Sequence, residues 1–151
     1  MKNNGDLGRR RIFLALSLLW MAIIFYFSGQ SGSESGALSS SLSEFLGLPE
    51  WMVRKGAHMA EYALLGFFLL GFFDTFPRRN MWLLSWGTAV LYAASDELHQ
   101  MFSSGRTPAL RDVCIDAVGA ALGVAAMCLL LFFLQKRNGS QISLKKQSTK
   151  E

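Results

Sequence analysis

The sequence predicts an all-α polytopic membrane protein, built as a bundle of four transmembrane helices with both termini in the cytoplasm. Of the 151 residues, 51% are hydrophobic, and the mean hydropathy is +0.26. This apolar content, four long apolar runs and an uneven distribution of charge are the observations that carry the prediction. Helices are expected because an open strand edge in lipid would leave backbone groups without hydrogen-bond partners.

Four apolar runs that lack Lys and Arg define the membrane segments: residues 12–27, 57–73, 81–94 and 113–134. A helix needs about 20 apolar residues to cross the hydrocarbon core of a bilayer. The last run is long enough by itself, and the others reach this length if the polar residues at their outer ends continue the helices. The predicted spans, within one domain of residues 1–135, are therefore 11–28, 55–73, 81–97 and 112–134. Residues 136–151 are predicted to form a basic, disordered cytoplasmic tail.

The distribution of charge predicts the orientation of these spans. The N-terminus, residues 74–80 and the C-terminal tail hold 11 of the 15 Lys and Arg and three of the 11 acidic residues, a net charge of +8. The opposite side holds four basic and eight acidic residues, a net charge of −4. Basic loops remain in the cytoplasm, so both termini are expected there. The basic excess is thus explained by membrane orientation, and no nucleic-acid partner is predicted.

The segment between the first two spans contains a predicted amphipathic helix near residues 38–46. Leu38, Leu42 and Phe45 recur at helical spacing, with serines and Glu44 between them. A short helix with this pattern lies in the plane of the membrane surface, with its apolar side in the lipid. Pro49 follows the segment and would end it before the second span.

Ionisable residues at the outer ends of three spans form the candidate ligand-binding site. Such residues cost about 2.5 to 3.5 kcal/mol at the bilayer centre, so they face protein or water and are functional by default. In the second span, Lys55, His58 and Tyr62 share one broad helix face. The predicted ligand-binding residues are Lys55, His58, Glu61, Tyr62, Asp96, Glu97, Gln100, Arg106, Asp112 and Asp116.

The fourth span carries two carboxylates and two glycines on a single stripe. Asp112, Asp116, Gly119 and Gly123 follow the spacing i, i+4, i+7 and i+11. The G-x-x-x-G pattern allows a neighbouring helix backbone to approach closely, so Gly119 and Gly123 are predicted helix-packing residues. The same contact would carry Asp116 towards His58. A homodimer through this stripe is a further assembly that the pattern allows.

The chemistry of the charged residues has more than one interpretation. In the first, Lys55, Arg106 and Arg111 neutralise the carboxylates and stabilise the bundle. In the second, the residues form a site for a ligand or a reaction. The sequence contains neither H-E-x-x-H nor G-x-S-x-G, so no catalytic residue is assigned and the candidates are His58, Glu61 and Asp96. His58, Glu61, Asp96 and His99 offer nitrogen and oxygen ligands, but their spacing matches no metal motif, and neither a metal nor a cofactor is predicted.

The spacing of these residues resembles the VanZ-like family of bacterial integral membrane proteins, over residues 12 to about 134. The similar motifs are Lys55-x-x-His58-x-x-Glu61-Tyr62-x-x-Leu65-Gly66, Asp96-Glu97-x-x-Gln100-x-Phe102-x-x-x-Arg106, Asp112-x-x-x-Asp116-x-x-Gly119-x-x-x-Gly123 and Phe25-Tyr26-Phe27-Ser28-x-Gln30-Ser31. Asp116 is a departure, since many members have Asn there. The resemblance implies a multi-pass protein of the bacterial cytoplasmic membrane, in a family whose founding member is linked to low-level resistance to the lipoglycopeptide teicoplanin.

Three functions remain open at this point. The first is binding of an amphiphilic or lipid-linked component of the cell envelope, or of the lipoglycopeptide antibiotic itself, with Lys55, Arg106 and Arg111 holding a phosphate or carboxylate. The second is an integral membrane enzyme that acts on a lipid-linked substrate, with His58 as base beside Glu61 and Asp96. A transporter or channel ranks last, because the ionisable groups stop in the outer third and the helices contain no inverted repeat.

Overall fold

The structure, a computed structural model, describes residues 4–30, 32–76, 79–102 and 109–148. Within these ranges the chain is all-α, with five helices and no strand, as the sequence predicts. The helices are α1 (Asn4–Ser28), α2 (Gly32–Leu46), α3 (Glu50–Phe73), α4 (Met81–Gln100) and α5 (Leu110–Ser148).

Three of these helices contain a segment long and apolar enough to cross a membrane: Asp6–Ser28, Glu50–Phe73 and Leu110–Arg137. Their surfaces are covered by exposed large apolar side chains such as Leu19, Leu64 and Leu129, which are costly to expose to water and favourable in lipid. The remaining long helix, α4, has 20 residues and is not among these candidate spans.

Interhelical contacts show that α1 and α3 are antiparallel. Near the start of α1, the Arg9 guanidinium forms an ion pair of 2.5 Å with Asp74, at the end of α3. Further along α1, the indole N–H of Trp20 donates a hydrogen bond of 2.8 Å to the backbone carbonyl of Glu61. Since residue numbers rise along one helix as they fall along the other, the two helices run in opposite directions.

By contrast, α3 and α5 run side by side in the same direction. Helix α4, which connects them in the chain, runs in the opposite direction. Lys55, near the start of α3, pairs with Asp112, near the start of α5, and Gly123 of α5 lies against Ala63 of α3. The Trp86 indole N–H donates a hydrogen bond of 3.0 Å to the Ala117 carbonyl, which fixes α4 against α5. The chain must therefore travel back the full length of the bundle after α3 before α5 can begin.

The contact between α3 and α5 depends on small residues on both helices. A Cβ atom added to Gly123 would overlap the Ala63 backbone carbonyl, and one added to Gly119 would overlap that of Met59. Gly66 of α3 is equally close to the backbone of α5 at Ala120. The glycine stripe is therefore occupied by α3 of the same chain. A homodimer stays a prediction, and it would need another surface.

The peripheral helix α2 starts earlier than the 38–46 segment that the sequence predicted and ends at Leu46 as expected. Gly47 follows with a φ of 65°, and the Leu48 N–H bonds to the Ser43 carbonyl at 3.2 Å, which is the Schellman ending that glycine favours. Phe45 is 85% exposed and turns away from the bundle, whereas Ser39 is buried against it. The apolar side of α2 is therefore free to contact lipid.

The C-terminal helix differs from the sequence prediction. A disordered tail was predicted from residue 136, but α5 continues as helix to Ser148. The chain has no proline between Leu110 and Ser148, so nothing removes a donor from the helical hydrogen-bond ladder, and the Gln, Lys and Arg residues there are good helix formers. Polarity alone therefore does not end this helix.

Candidate functional site

His58 on α3 lies between two carboxylates, one from each of the tightly packed helices. Its Nδ1 atom is 3.8 Å from Oδ1 of Asp116 on α5 and 4.0 Å from Oε2 of Glu61 on its own helix. The parallel packing of α3 and α5 produces this arrangement, because it places equivalent turns of the two helices at the same depth. Asp116 is only 1% exposed, whereas His58 and Glu61 are partly accessible.

Behind His58, three buried polar side chains come from three different helices. Tyr62 of α3 and Asp96 of α4 are 0% and 3% exposed, and they adjoin Asp116. The Tyr62 hydroxyl and one oxygen of each of the two aspartates have no hydrogen-bond partner within the described residues. Buried polar atoms are normally hydrogen-bonded, so three of them together at one end of a helix bundle are unusual. We call Tyr62, Asp96 and Asp116 the buried polar cluster.

The end of α4 joins this cluster to the start of α5. The Gln100 amide donates a hydrogen bond of 3.2 Å to Oδ2 of Asp96. The carboxylate of Glu97 accepts the Ala109 N–H at 3.0 Å, just before the first turn of α5. A carboxylate at a helix N-terminus satisfies a free N–H group and interacts favourably with the helix dipole. Glu97 therefore has a structural role, and it positions the helix that carries Asp116.

Lys55 and Asp112 form an ion pair between the starts of α3 and α5. Their side chains are 23% and 28% exposed, so the pair is partly shielded from solvent. The sequence placed both residues in the ligand-binding set and left ion pairing between helices as the other interpretation. For these two residues the contacts match the ion-pairing interpretation.

The His99 ring packs against α1. It stacks on Phe25 with a centroid separation of 4.0 Å and an interplanar angle of 24°. It also approaches Gly29, where an added Cβ would be 3.4 Å from the ring. Within the described ranges, no three His, Cys, Asp or Glu side chains are grouped to hold a metal ion.

A cavity of about 200 Å³ opens between the end of α1, α2 and α3. His58 and Glu61 line one part of it, and Phe27 and Leu42 line another. Where α2 borders the cavity, the Ser39 hydroxyl donates a hydrogen bond of 2.9 Å to the carboxylate of Glu50 on α3. Asp96 and Asp116 do not line the cavity, so His58 is the residue that contacts both the cavity and Asp116.

Of the predicted ligand-binding residues, His58 and Glu61 line the cavity, and its other lining residues were not predicted; the polar residues Ser28, Gln30 and Arg54 are among them. Ser28 and Gln30 belong to the aromatic end of α1, which the sequence had already marked as a family motif. Arg54 is adjacent to Lys55 in the sequence. The sequence alone does not show which of these two neighbouring cations pairs with a carboxylate. Arg106, a predicted ligand-binding residue, lies outside the described residues.

These features define the class: a small integral membrane protein whose helices bury an ionisable cluster beside a cavity at one end of the bundle. The VanZ/LLP1 family model matches residues 13–135, which is most of the chain, and the protein belongs to that family. The resemblance inferred from the spaced motifs is thereby confirmed. Comparisons with curated proteins and with solved structures gave no match.

Proposed function

We propose that the protein binds the polar head of an amphiphilic, lipid-linked envelope molecule in the cavity between α1, α2 and α3. The observation that carries the proposal is the composition of the cavity wall. Ionisable side chains of His58 and Glu61 lie beside the apolar side chains of Phe27 and Leu42. A molecule with a polar head and an apolar tail matches both surfaces, with its tail continuing into the lipid.

The size of the cavity limits what can enter it. Its volume of about 200 Å³ is below the roughly 300 to 1,000 Å³ of pockets that enclose drug-sized ligands. It accommodates a head group and is too small for an entire lipoglycopeptide. We therefore propose that any teicoplanin resistance of the kind linked to the family's founding member would arise from binding of a lipid-linked envelope component. The antibiotic would be a partner only through its acyl tail.

We also propose that α1, α3, α4 and α5 all cross the bacterial cytoplasmic membrane, with both termini in the cytoplasm. The parallel packing of α3 and α5 supports this, because α4 must return through the same thickness of membrane. Its 20 residues span about 30 Å at 1.5 Å per residue, which equals the hydrocarbon core. The concentration of Lys and Arg at the end of the bundle that holds both termini supports the orientation.

Reporter fusions test this topology. Alkaline phosphatase, which is active only outside the cytoplasm, should be inactive when fused after Phe76 and active when fused after Phe102. The reason is that α4 carries the chain from one side to the other. Equal activity of the two fusions would show that α4 does not cross, and the reversed pattern would overturn the orientation.

Filling the cavity should weaken binding. Ala57 lines the cavity, whereas Ala60, one turn further along α3, is exposed and does not line it. We expect Ala57→Trp to weaken binding of an amphiphilic probe, farnesyl phosphate, at least tenfold, and Ala60→Trp to leave it unchanged. Native mass spectrometry of the full chain in nanodiscs measures both. In cells, Ala57→Trp should also remove any gain in teicoplanin resistance. Equal binding by the two variants would contradict the proposal.

A catalytic role is the second candidate, and the contact between His58 and Asp116 favours it. A buried carboxylate near Nδ1 can orient an imidazole, whose other nitrogen then accepts a proton from a substrate. The sequence hypothesis paired His58 with Glu61 and expected the glycine stripe to carry Asp116 towards His58; both carboxylates lie near the same Nδ1 atom, at 4.0 and 3.8 Å. The same spectra distinguish the two functions. A change in the mass of the probe that no longer occurs with His58→Gln would indicate an enzyme. A probe of unchanged mass would indicate binding alone.

A further inference from the structure

Some hydrogen-bond donors in the cavity have no protein partner among the described residues. Arg54 and Gln30 have no ion-pair or side-chain hydrogen-bond partner within the described parts of the chain. The hydroxyl of Ser28 is buried and likewise lacks a described partner. By contrast, the adjacent cation Lys55 is neutralised by Asp112. Arg54 is the basic residue among those that line the cavity. Since no described residue forms an ion pair with it, its charge is available to a ligand.

From these donors we propose that the head group held in the cavity is a phosphate, bound by Arg54 with Ser28 and Gln30. A guanidinium offers a planar pair of N–H donors that matches two oxygens of a phosphate, and the pairing is stronger than a neutral hydrogen bond. The hydroxyl and the amide would donate to the remaining oxygens. This inference rests on the proposed function, because it names the chemistry of the molecule bound in the same cavity.

Two carboxylates of α3 bear on this preference: Glu50, one turn before Arg54, which accepts a hydrogen bond from Ser39 at the edge of the cavity, and Glu61, which lines the cavity. Glu61 lies seven residues after Arg54 on α3, which places it about 10 Å deeper along the helix axis at 1.5 Å per residue. A head group held against the Arg54 guanidinium is therefore closer to this positive charge than to the Glu61 carboxylate, so the attraction is the larger of the two interactions. An anion therefore fits the outer part of the cavity, next to Arg54.

Two probes that share a tail test the proposal: farnesyl phosphate and farnesol, measured with the full chain in nanodiscs. We expect farnesyl phosphate to bind at least tenfold more tightly than farnesol. Arg54→Ala should remove most of this preference and leave farnesol binding unchanged, which also shows that the variant is folded. Arg54→Lys should keep part of the preference. Arg79→Ala, which removes one positive charge at the other end of the bundle, should keep all of it.

Several outcomes would overturn the inference. Equal affinity for the two probes, with Ala57→Trp weakening both, would refute a phosphate head group while the proposed function stands. Farnesoic acid binding as tightly as farnesyl phosphate would show that any anion suffices. Displacement of farnesyl phosphate by an equal concentration of inorganic phosphate would assign the site to the free anion. If neither isoprenoid bound, the proposed function and the inference would both fail.

Discussion

Replacing Gly123 with alanine is expected to destabilise the protein by about 2 kcal/mol or more, even though alanine is the better helix former. The added Cβ would overlap the Ala63 backbone carbonyl, which has no rotamer by which to move aside. Overpacking typically costs about 1 to 3 kcal/mol, and the helix propensity gained from alanine, about 1 kcal/mol at most, is too small to offset a clash of this kind. Unfolding of the purified protein by titration with SDS measures the loss.

Gly87 provides the matched control for this substitution. It also lies within a helix, but a Cβ added there would meet no atom within 4 Å. Gly87→Ala should therefore leave stability unchanged or raise it by up to about 1 kcal/mol. If Gly123→Ala and Gly87→Ala unfolded at the same SDS fraction, the close backbone contact between α3 and α5 would be wrong.

Truncating Tyr62 to alanine is the second substitution with a large expected effect. Tyr62 is fully buried and packs in the core with Leu65 and Ala120. Removing a large buried ring costs about 3 to 5 kcal/mol, because contacts are lost and the cavity relaxes only in part. The same SDS titration should show this loss, and the variant should yield less folded protein after solubilisation.

Tyr62→Phe separates the ring from the hydroxyl. The hydroxyl has no hydrogen-bond partner within the described residues, although it lies beside Asp96 and Asp116. Its removal should therefore change stability by less than about 1 kcal/mol, because no protein hydrogen bond is lost. A loss as large as that of Tyr62→Ala would mean that the hydroxyl makes a strong bond within the folded protein.

Both substitutions act on the contact that forms the candidate site. The close approach of α3 and α5 places His58 next to Asp116, and Tyr62 fills the space behind them. His58 and Asp116 are thus held by a closely packed pair of helices, where side-chain positions are well fixed. The cavity lies on the other side of His58, beside the peripheral helix α2.

The sequence by itself determined the helical class, the family and the small-residue contact. Apolar runs, charge asymmetry and the spacing of Gly119 and Gly123 are local properties, and local patterns predict where helices form and which residues share a face. They also predicted that ionisable residues of three helices gather at one end. The exact end of α5 was missed, because a polar composition does not by itself break a helix.

Only the tertiary structure decided which of these residues meet. Lys55 and Arg54 are adjacent in sequence, yet one pairs with Asp112 and the other lines the cavity. The approach of Asp116 to His58 was expected from the glycine stripe, whereas the stacking of His99 on Phe25 had no signal in the sequence. The physical reason is that interhelical packing sets the rotation of each helix about its axis and its direction in the bundle. The residue pattern of one helix does not contain this information.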